Sequence, residues 1–334
     1  MSVNEMDLIQ TFEKYLAQRY KPLETEFLQK TAQYFSKELS TIRKFCLDEW
    51  HKALAHACEI QRQENQPCAY MSISFLNTSV IDDKPTLQID FYNEEWVYGE
   101  SWARYRMNAD FLMKYWQDFK FDALDDRFFV RSKISKVEIK PLFWGTLDKL
   151  IFLFTCYAKY FAPRLSYYNE FDDLIKAENF YVTCGTYLDW QNRVSAVLPE
   201  IDLLNPDANE DTMFRPLKNK IYRNKKFHDL NLRGCYFEDC VFENFTFENL
   251  NLSDANFLRC RFTSTKFVNL QMAGCDLFEC YFKNCTFENC SAEIDEDSEE
   301  YFAPMRMYHC YLLEIKFDNC KFENLTQIDC FTKE

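Results

Sequence analysis

The segment Glu94, Glu95, Trp96, Tyr98, Glu100, Trp102, Arg104, Tyr105, Arg106 concentrates side chains that could do chemistry. In an extended chain successive side chains alternate between faces, so Trp102, Arg104 and Arg106 share one. Two guanidiniums beside an aromatic ring can grip a carboxylate or a phosphate. A half-exposed strand of an aromatic-rich sheet would carry the same pattern. Other chemistries find little support. Before residue 220 glycine occurs only at Gly99, Gly145 and Gly185, so neither a phosphate-cradling loop nor a dinucleotide-binding turn can be written. No G-x-S-x-G or H-E-x-x-H occurs. His51 and His56 lie five apart, away from the four-residue spacing that sets two metal ligands on one helical face. No catalytic residue, cofactor or metal site is assigned.

The 15 cysteines invite a metal or disulfide reading. Ten of them, Cys235, Cys240, Cys260, Cys275, Cys280, Cys285, Cys290, Cys310, Cys320 and Cys330, fall on one five-residue register, without any C-x-x-C pair. Their spacing is that of a larger repeat. From Phe227 a large apolar residue returns every five positions, through Leu232, Phe237, Phe242 and on to Phe287. Two residues before each stands a small or apolar one, commonly cysteine, which buries readily. Two residues after stand Asp229, Asp239, Asn244, Asn249, Asp254, Asn269, Asn284, Asn289, Asn319 and Asn324. Asn and Asp tolerate left-handed backbone, so they place a corner once per repeat. A period of five matches neither helix nor simple strand. The unit is a short extended piece and a turn, which buries its apolar face only by stacking.

Units such as Cys240-Val241-Phe242-Glu243-Asn244 resemble the pentapeptide-repeat family. The resemblance implies a right-handed quadrilateral β-helix, four pentapeptides to a coil, over residues 222–334. Charged residues from Glu293 to Glu300 break the pattern, so 291–304 is expected to leave the wall as an acidic loop. The phase resumes at Cys310-Tyr311-Leu312; if the loop spans two faces, Cys310 sits one coil above Cys290.

The remaining sequence reads as an α+β domain over 1–204 joined by a linker or cap at 205–221, which opens with Asn205 to Asn209 and the acidic residues after them. Residues 1 to about 66 show helical faces, Leu8 to Leu16 and, after Pro22, Phe27 to Ala57. Met71, Ile73, Phe75 and then Leu87, Ile89, Phe91 alternate with polar residues, predicting two strands around Asp82 to Pro85. Asn108 is read as the cap of a helix through about Phe119, Val137 to Lys140 as a short strand, and Leu147 to Phe161 as a buried helix.

The net charge of −14 argues against direct nucleic-acid binding. One basic run, Lys218 to Lys226, reads as a solvated cap. Met1 to Asp7 is followed by no apolar segment, so no secretory signal is expected, and Leu147 to Ala162 carries Asp148, Lys149 and Lys159, so no membrane span is expected. A cytoplasmic protein with reduced thiols is the expectation.

Residues twenty apart should stack, which puts Leu258 under Phe278 and Val241 in a column with Tyr281. These outward apolar residues form a candidate protein-binding patch, taken by the N-terminal domain or by another protein. The leading expectation is a non-enzymatic scaffold that binds another protein through its solenoid. Alternatives are an immunity or resistance factor that sequesters a toxin or binds a topoisomerase as an acidic DNA mimic, and an enzyme or accessory subunit with its site at Trp102, Arg104 and Arg106. Glu243, Thr263 and Lys283 in one column, and Glu248, Val268 and Glu288 in another, leave no continuous acidic stripe. The open end of the solenoid suggests a homodimer.

Overall fold

The computed structural model describes residues 12–64, 66–81, 83–125, 134–206, 211–293, 305–322 and 325–333. It divides into two units, Met1–Val194 and Ser195–Glu334.

In the first unit a π-helical turn, Leu16–Tyr20, leads into α1 (Lys21–Lys37), whose Pro22 occupies the first turn, where a missing N–H costs no hydrogen bond. Helix α2 (Leu39–Glu64) buries Ile42, Cys46, Trp50, Ala53 and Ala57 at helical spacing. Strands β1 (Cys68–Phe75), β2 (Thr86–Tyr92) and β3 (Ala103–Asn108) follow; both expected strands and the extended Arg104 segment are present. Beyond them come α3 (Trp116–Ala123), α4 (Lys136–Ile139), α5 (Leu142–Phe161), α6 (Asn169–Asp173), β4 (Lys176–Thr186) and β5 (Gln191–Val197). The sheet order is β3-β2-β1-β4-β5, with β1 antiparallel to β2 and parallel to β4. Met71, Ile73, Phe75, Leu87, Ile89, Phe91, Phe180, Val182 and Cys184 turn to one face and are buried, with α2 packed against β2 and β3 and α5 against β4. Fully burying side chains of this size stabilises by roughly 1.5–3 kcal/mol each.

Two local expectations are corrected. Val137 to Lys140 is not a strand, because Ser135 and Glu138 form a capping box that starts α4. Asn108 ends β3 and accepts a hydrogen bond from the Asp110 amide at 2.7 Å, so it makes a tight turn into a 3-10 segment, Asp110–Met113, and the helix begins only at Trp116. Strands β4 and β5 were not anticipated. Asp82, Leu8 and linker residues 207–210 lie outside the described residues.

The second unit is a four-sided parallel β-helix. Its first wall stacks Pro216–Lys218, Tyr236–Glu238, Asn256–Leu258, Asp276–Phe278, Arg306–Tyr308 and Thr326–Ile328. The second stacks Ile221–Arg223, Val241–Glu243, Arg261–Thr263, Tyr281–Lys283, Tyr311–Leu313 and Phe331–Lys333. The third runs from Lys226–His228 to Lys316–Asp318. The fourth is a ladder of single bridges, Asn231 to Asn251, Gln271, Ser291 and Lys321. Inside, ring lies on ring: Phe247 and Phe267 are 5.1 Å apart at 2°, Phe267 and Phe287 4.3 Å at 3°.

Of the expected corner residues, all but Asn324, which lies outside the described residues, have positive φ, from 48 to 57°. Asn244 donates to Asn224 at 2.7 Å, Asn249 to Asp229 at 2.9 Å and Asn269 to Asn249 at 2.9 Å, so the corner side chains form ladders of their own. Gly234, at φ 64°, also admits the Phe214 ring, which a Cβ would meet at 2.3 Å.

Three boundaries differ from the sequence reading. The solenoid begins at Pro216, inside the segment read as linker. Ile201, Leu203 and Leu204, read as the end of the first domain, pack against the solenoid core, so the division falls at Val194 rather than 204. Cys310 stacks on Cys280, not on Cys290: the Tyr311 amide donates to the Cys280 carbonyl and the Lys321 amide to that of Cys290. The offset between stacked residues is therefore thirty here, as in Arg306 on Asp276 and Lys321 on Ser291; residues 294–304 of the acidic segment lie outside the described residues.

Candidate functional site

The cluster foreseen around β3 sits on the face of the first unit's sheet turned away from its helices. The antiparallel register sets Arg104 opposite Asp90 and Arg106 opposite Gln88, with Ser72 and Ser74 on the next strand and Thr183 beyond. This face is polar and buried: Ser72, Ser74, Gln88, Asp90 and Thr183 have almost no exposure. Its hydrogen bonds are internal. Arg104 Nε donates to Asp90 Oδ1 at 2.7 Å, Gln88 Nε2 to Asp90 Oδ2 at 2.8 Å, Arg106 Nε to Gln88 Oε1 at 2.9 Å and Thr183 Oγ1 to Ser72 Oγ at 3.0 Å. Trp96, at φ 51°, reaches back to donate to Ser72 Oγ and stacks on Tyr70.

Arg104 and Arg106 thus share a face, but their Nε groups are already spent on this network, and Arg104 Nη2 donates to Ser101. The Asp90 carboxylate raises the Arg104 pKa further. Trp102 stands just before the strand with its ring 5.7 Å from that of Phe91. Trp102 and Arg104 line one cavity of about 550 Å³ with Tyr92, Tyr187, Glu100 and Ile60, and Arg106 is not among its walls. Burial, then the neighbouring Asp90, raises the Tyr92 pKa, so the phenol stays protonated. The geometry offers one guanidinium edge, two phenols and an indole to a small polar ligand.

The foreseen solenoid patch separates into two columns. Leu258 and Phe278 pair on the first wall as expected, but they are 0% and 1% exposed, so neither offers a free surface. Their column also holds Glu238 and Tyr308, both buried, and the neighbouring column holds the bidentate pair Arg306 to Asp276 at 2.6 and 2.7 Å, out of water as well. Burying Leu258, Phe278 and Tyr308 is favoured, and spacing alone does not reveal it. Val241 and Tyr281 stand on the second wall, with Arg261 between them and its guanidinium 5.2 Å from the Tyr281 ring. That column continues to Ile221 at one end and to Tyr311 and Phe331 at the other, which are 60%, 54% and 53% exposed. The sequence reading missed these three, although the twenty-residue and then thirty-residue offsets would have found them.

Much of the acidic charge is paired across coils. Glu243 meets Arg223 at 2.5 Å, Glu248 meets Lys226 at 2.9 Å, and Arg259 holds both Glu238 and Asp239. Among the described residues no group of three or more His, Cys, Asp or Glu could hold a metal ion, and no helix is long and apolar enough to cross a membrane. The solenoid thiols point inward and donate to backbone carbonyls, as Cys280 does to Phe257 at 3.3 Å.

A family model described as the SV2A/B/C luminal domain matches residues 215–290. No curated protein matches the chain. Among solved structures, a pentapeptide repeat protein (Rfr23) from the cyanobacterium Cyanothece 51142 is similar at 9% identity and a TM-score of 0.31, covering 36% of this chain and 90% of that one. The full-length plasmid-mediated fluoroquinolone resistance protein QnrB1 is similar at 17% identity and a TM-score of 0.21, over 34% of this chain and 70% of that one. A trypsin-treated form of QnrB1 gives 19% and 0.26, over 36% and 65%. By the five-residue register and stacked walls of this chain itself, residues 216–293, 305–322 and 325–333 form a pentapeptide-repeat β-helix.

Proposed function

We propose that this protein is a non-enzymatic binding protein whose solenoid presents a surface to another protein, and that the surface is the second wall. The observation that carries the reading is the outward column Ile221, Val241, Arg261, Tyr281, Tyr311, Phe331. Six strands at about 4.8 Å spacing set these side chains along roughly 24 Å of rigid lattice. Tyrosine and arginine are among the residues enriched in binding hot spots, phenylalanine is enriched in interfaces, and a rigid wall loses little entropy when it docks. The acidic-mimic version of the reading is less favoured, because Glu243 and Glu248 are neutralised by cations one coil away.

Self-association through the last coil is the homodimeric form of the same proposal, with Phe317 and Phe331 half exposed there. Photo-crosslinking tests the main reading. A benzophenone amino acid replacing Tyr311 should give one discrete adduct in cells, and the same probe replacing Lys266 on the third wall should give none. Equal adducts from both walls, or none from either, would remove the second wall as the binding surface.

A further inference from the structure

A hollow of about 920 Å³ in the first unit lies away from the Arg104 cavity, between α3, the α4 to α5 turn and the Val80 to Ile81 turn. Its floor is aromatic: Trp116 and Phe143 are buried edge to face with centroids 6.0 Å apart. Its walls are apolar side chains left in water, Phe121 at 79% exposure, Ile81 at 69% and Trp144 at 43%. Soluble proteins rarely gather large exposed apolar side chains around one concavity without an occupant, and this volume is that of a small-molecule site.

The rim decides the charge of that occupant. Lys120, Lys136 and Lys140 stand on it with Asp118 and Asp125. Asp125 is engaged by Arg19 at 3.5 Å, whereas Lys120 and Lys140 have no ion-pair partner among the described residues. The rim is therefore cationic in a chain of net charge −14. Lysine ammoniums are point charges on flexible stems, suited to a single anionic head in more than one orientation. We propose that this hollow binds a soluble anionic amphiphile, an alkyl or aryl body seated on Trp116 and Phe143 with its carboxylate between Lys120 and Lys140. The net charge of −14 over the whole chain disfavours an extended anionic bilayer as the partner.

Laurate below its micellar concentration is the probe, titrated into the full chain by calorimetry and followed by tryptophan fluorescence. One saturable site is expected. The double substitution Phe121→Ser with Trp144→Ser should weaken binding by about tenfold or more. Lys120→Gln with Lys140→Gln should weaken laurate by about fivefold and leave dodecanol unchanged, and the laurate affinity should fall with salt. All four positions are wholly or partly exposed, so an unchanged circular dichroism melt verifies folding. No saturable binding by the unmodified chain, unchanged laurate affinity in either double variant, binding only to laurate in vesicles, or occupation only by an acidic peptide helix would each overturn the proposal.

Discussion

Buried thiols should make the solenoid fail in alkali. Cys235 and Cys290 are 0% and 1% exposed and donate to the carbonyls of Thr212 and Phe267 at 3.1 and 3.4 Å. Burial pushes both up to about 12 from an ordinary thiol value of 9.0. Above pH 9 the unfolded chain releases protons that the folded chain keeps, so rising pH favours unfolding. Their contribution is present in full below pH 9 and lost as pH climbs from 9 towards 12. At pH 10 each ionised thiol favours the unfolded chain by about 1.4 kcal/mol, about 3 kcal/mol for the two, a large share of a domain stability of roughly 5–15 kcal/mol. Cys280, held well above the ordinary value by burial, acts in the same direction. The comparison is with Cys235→Ser, Cys290→Ser. A hydroxyl suits this register, since Thr265 Oγ1 donates to the Phe242 carbonyl at 3.1 Å just as the thiols do. All 6 tryptophans precede residue 195, so fluorescence reports the first unit, and urea unfolding by far-UV circular dichroism adds the solenoid. The loss between pH 7 and 10 should be about 3 kcal/mol smaller in the serine variant. An equal loss in both proteins would refute the reasoning.

Ser264 interrupts the corner ladder between Asn244 and Asn284 and holds a φ of 51°; Ser264→Asn should stabilise the solenoid by about 0.5–1 kcal/mol, read as a higher urea midpoint. Phe262→Ala removes a ring stacked between Phe242 and Phe282 at 5.1 and 4.6 Å. It should cost about 3–5 kcal/mol, measured in the same unfolding experiment, and a cost below about 1 kcal/mol would show that neighbouring coils collapse to fill the space.

The candidate sites were legible unevenly. Alternation placed Arg104 and Arg106 on one face, because strand geometry is local. It did not reveal that Asp90, a strand away, accepts from one guanidinium while Gln88 accepts from the other. The hollow beneath Phe121 escaped the pattern because Phe121 lies off the apolar stripe of Trp116 and Phe119, and a single exposed ring has no meaning until Ile81 and Trp144 stand beside it. Strand β4 was passed over, although Phe180, Val182 and Cys184 alternate in the same manner as Met71, Ile73 and Phe75. The Ser135 to Glu138 capping box was also present in the sequence, and it outweighed the apolar look of Val137 and Ile139.

By itself the sequence determined the lattice of the last third of the chain: a corner two residues after each inward centre, most often at Asn or Asp, a ring or aliphatic side chain at most inward centres, and cysteine as wall lining. Repetition makes that possible, since each residue's neighbours lie at a constant offset and local chemistry is copied from coil to coil. Only the tertiary structure decided where the offset changes from twenty to thirty at Cys310, that Leu258 and Phe278 are covered while Tyr311 and Phe331 are open, and which carboxylates are neutralised. Those outcomes depend on contacts between residues whose separation in sequence follows no rule, and exposure, unlike register, is a property of everything that packs around a side chain.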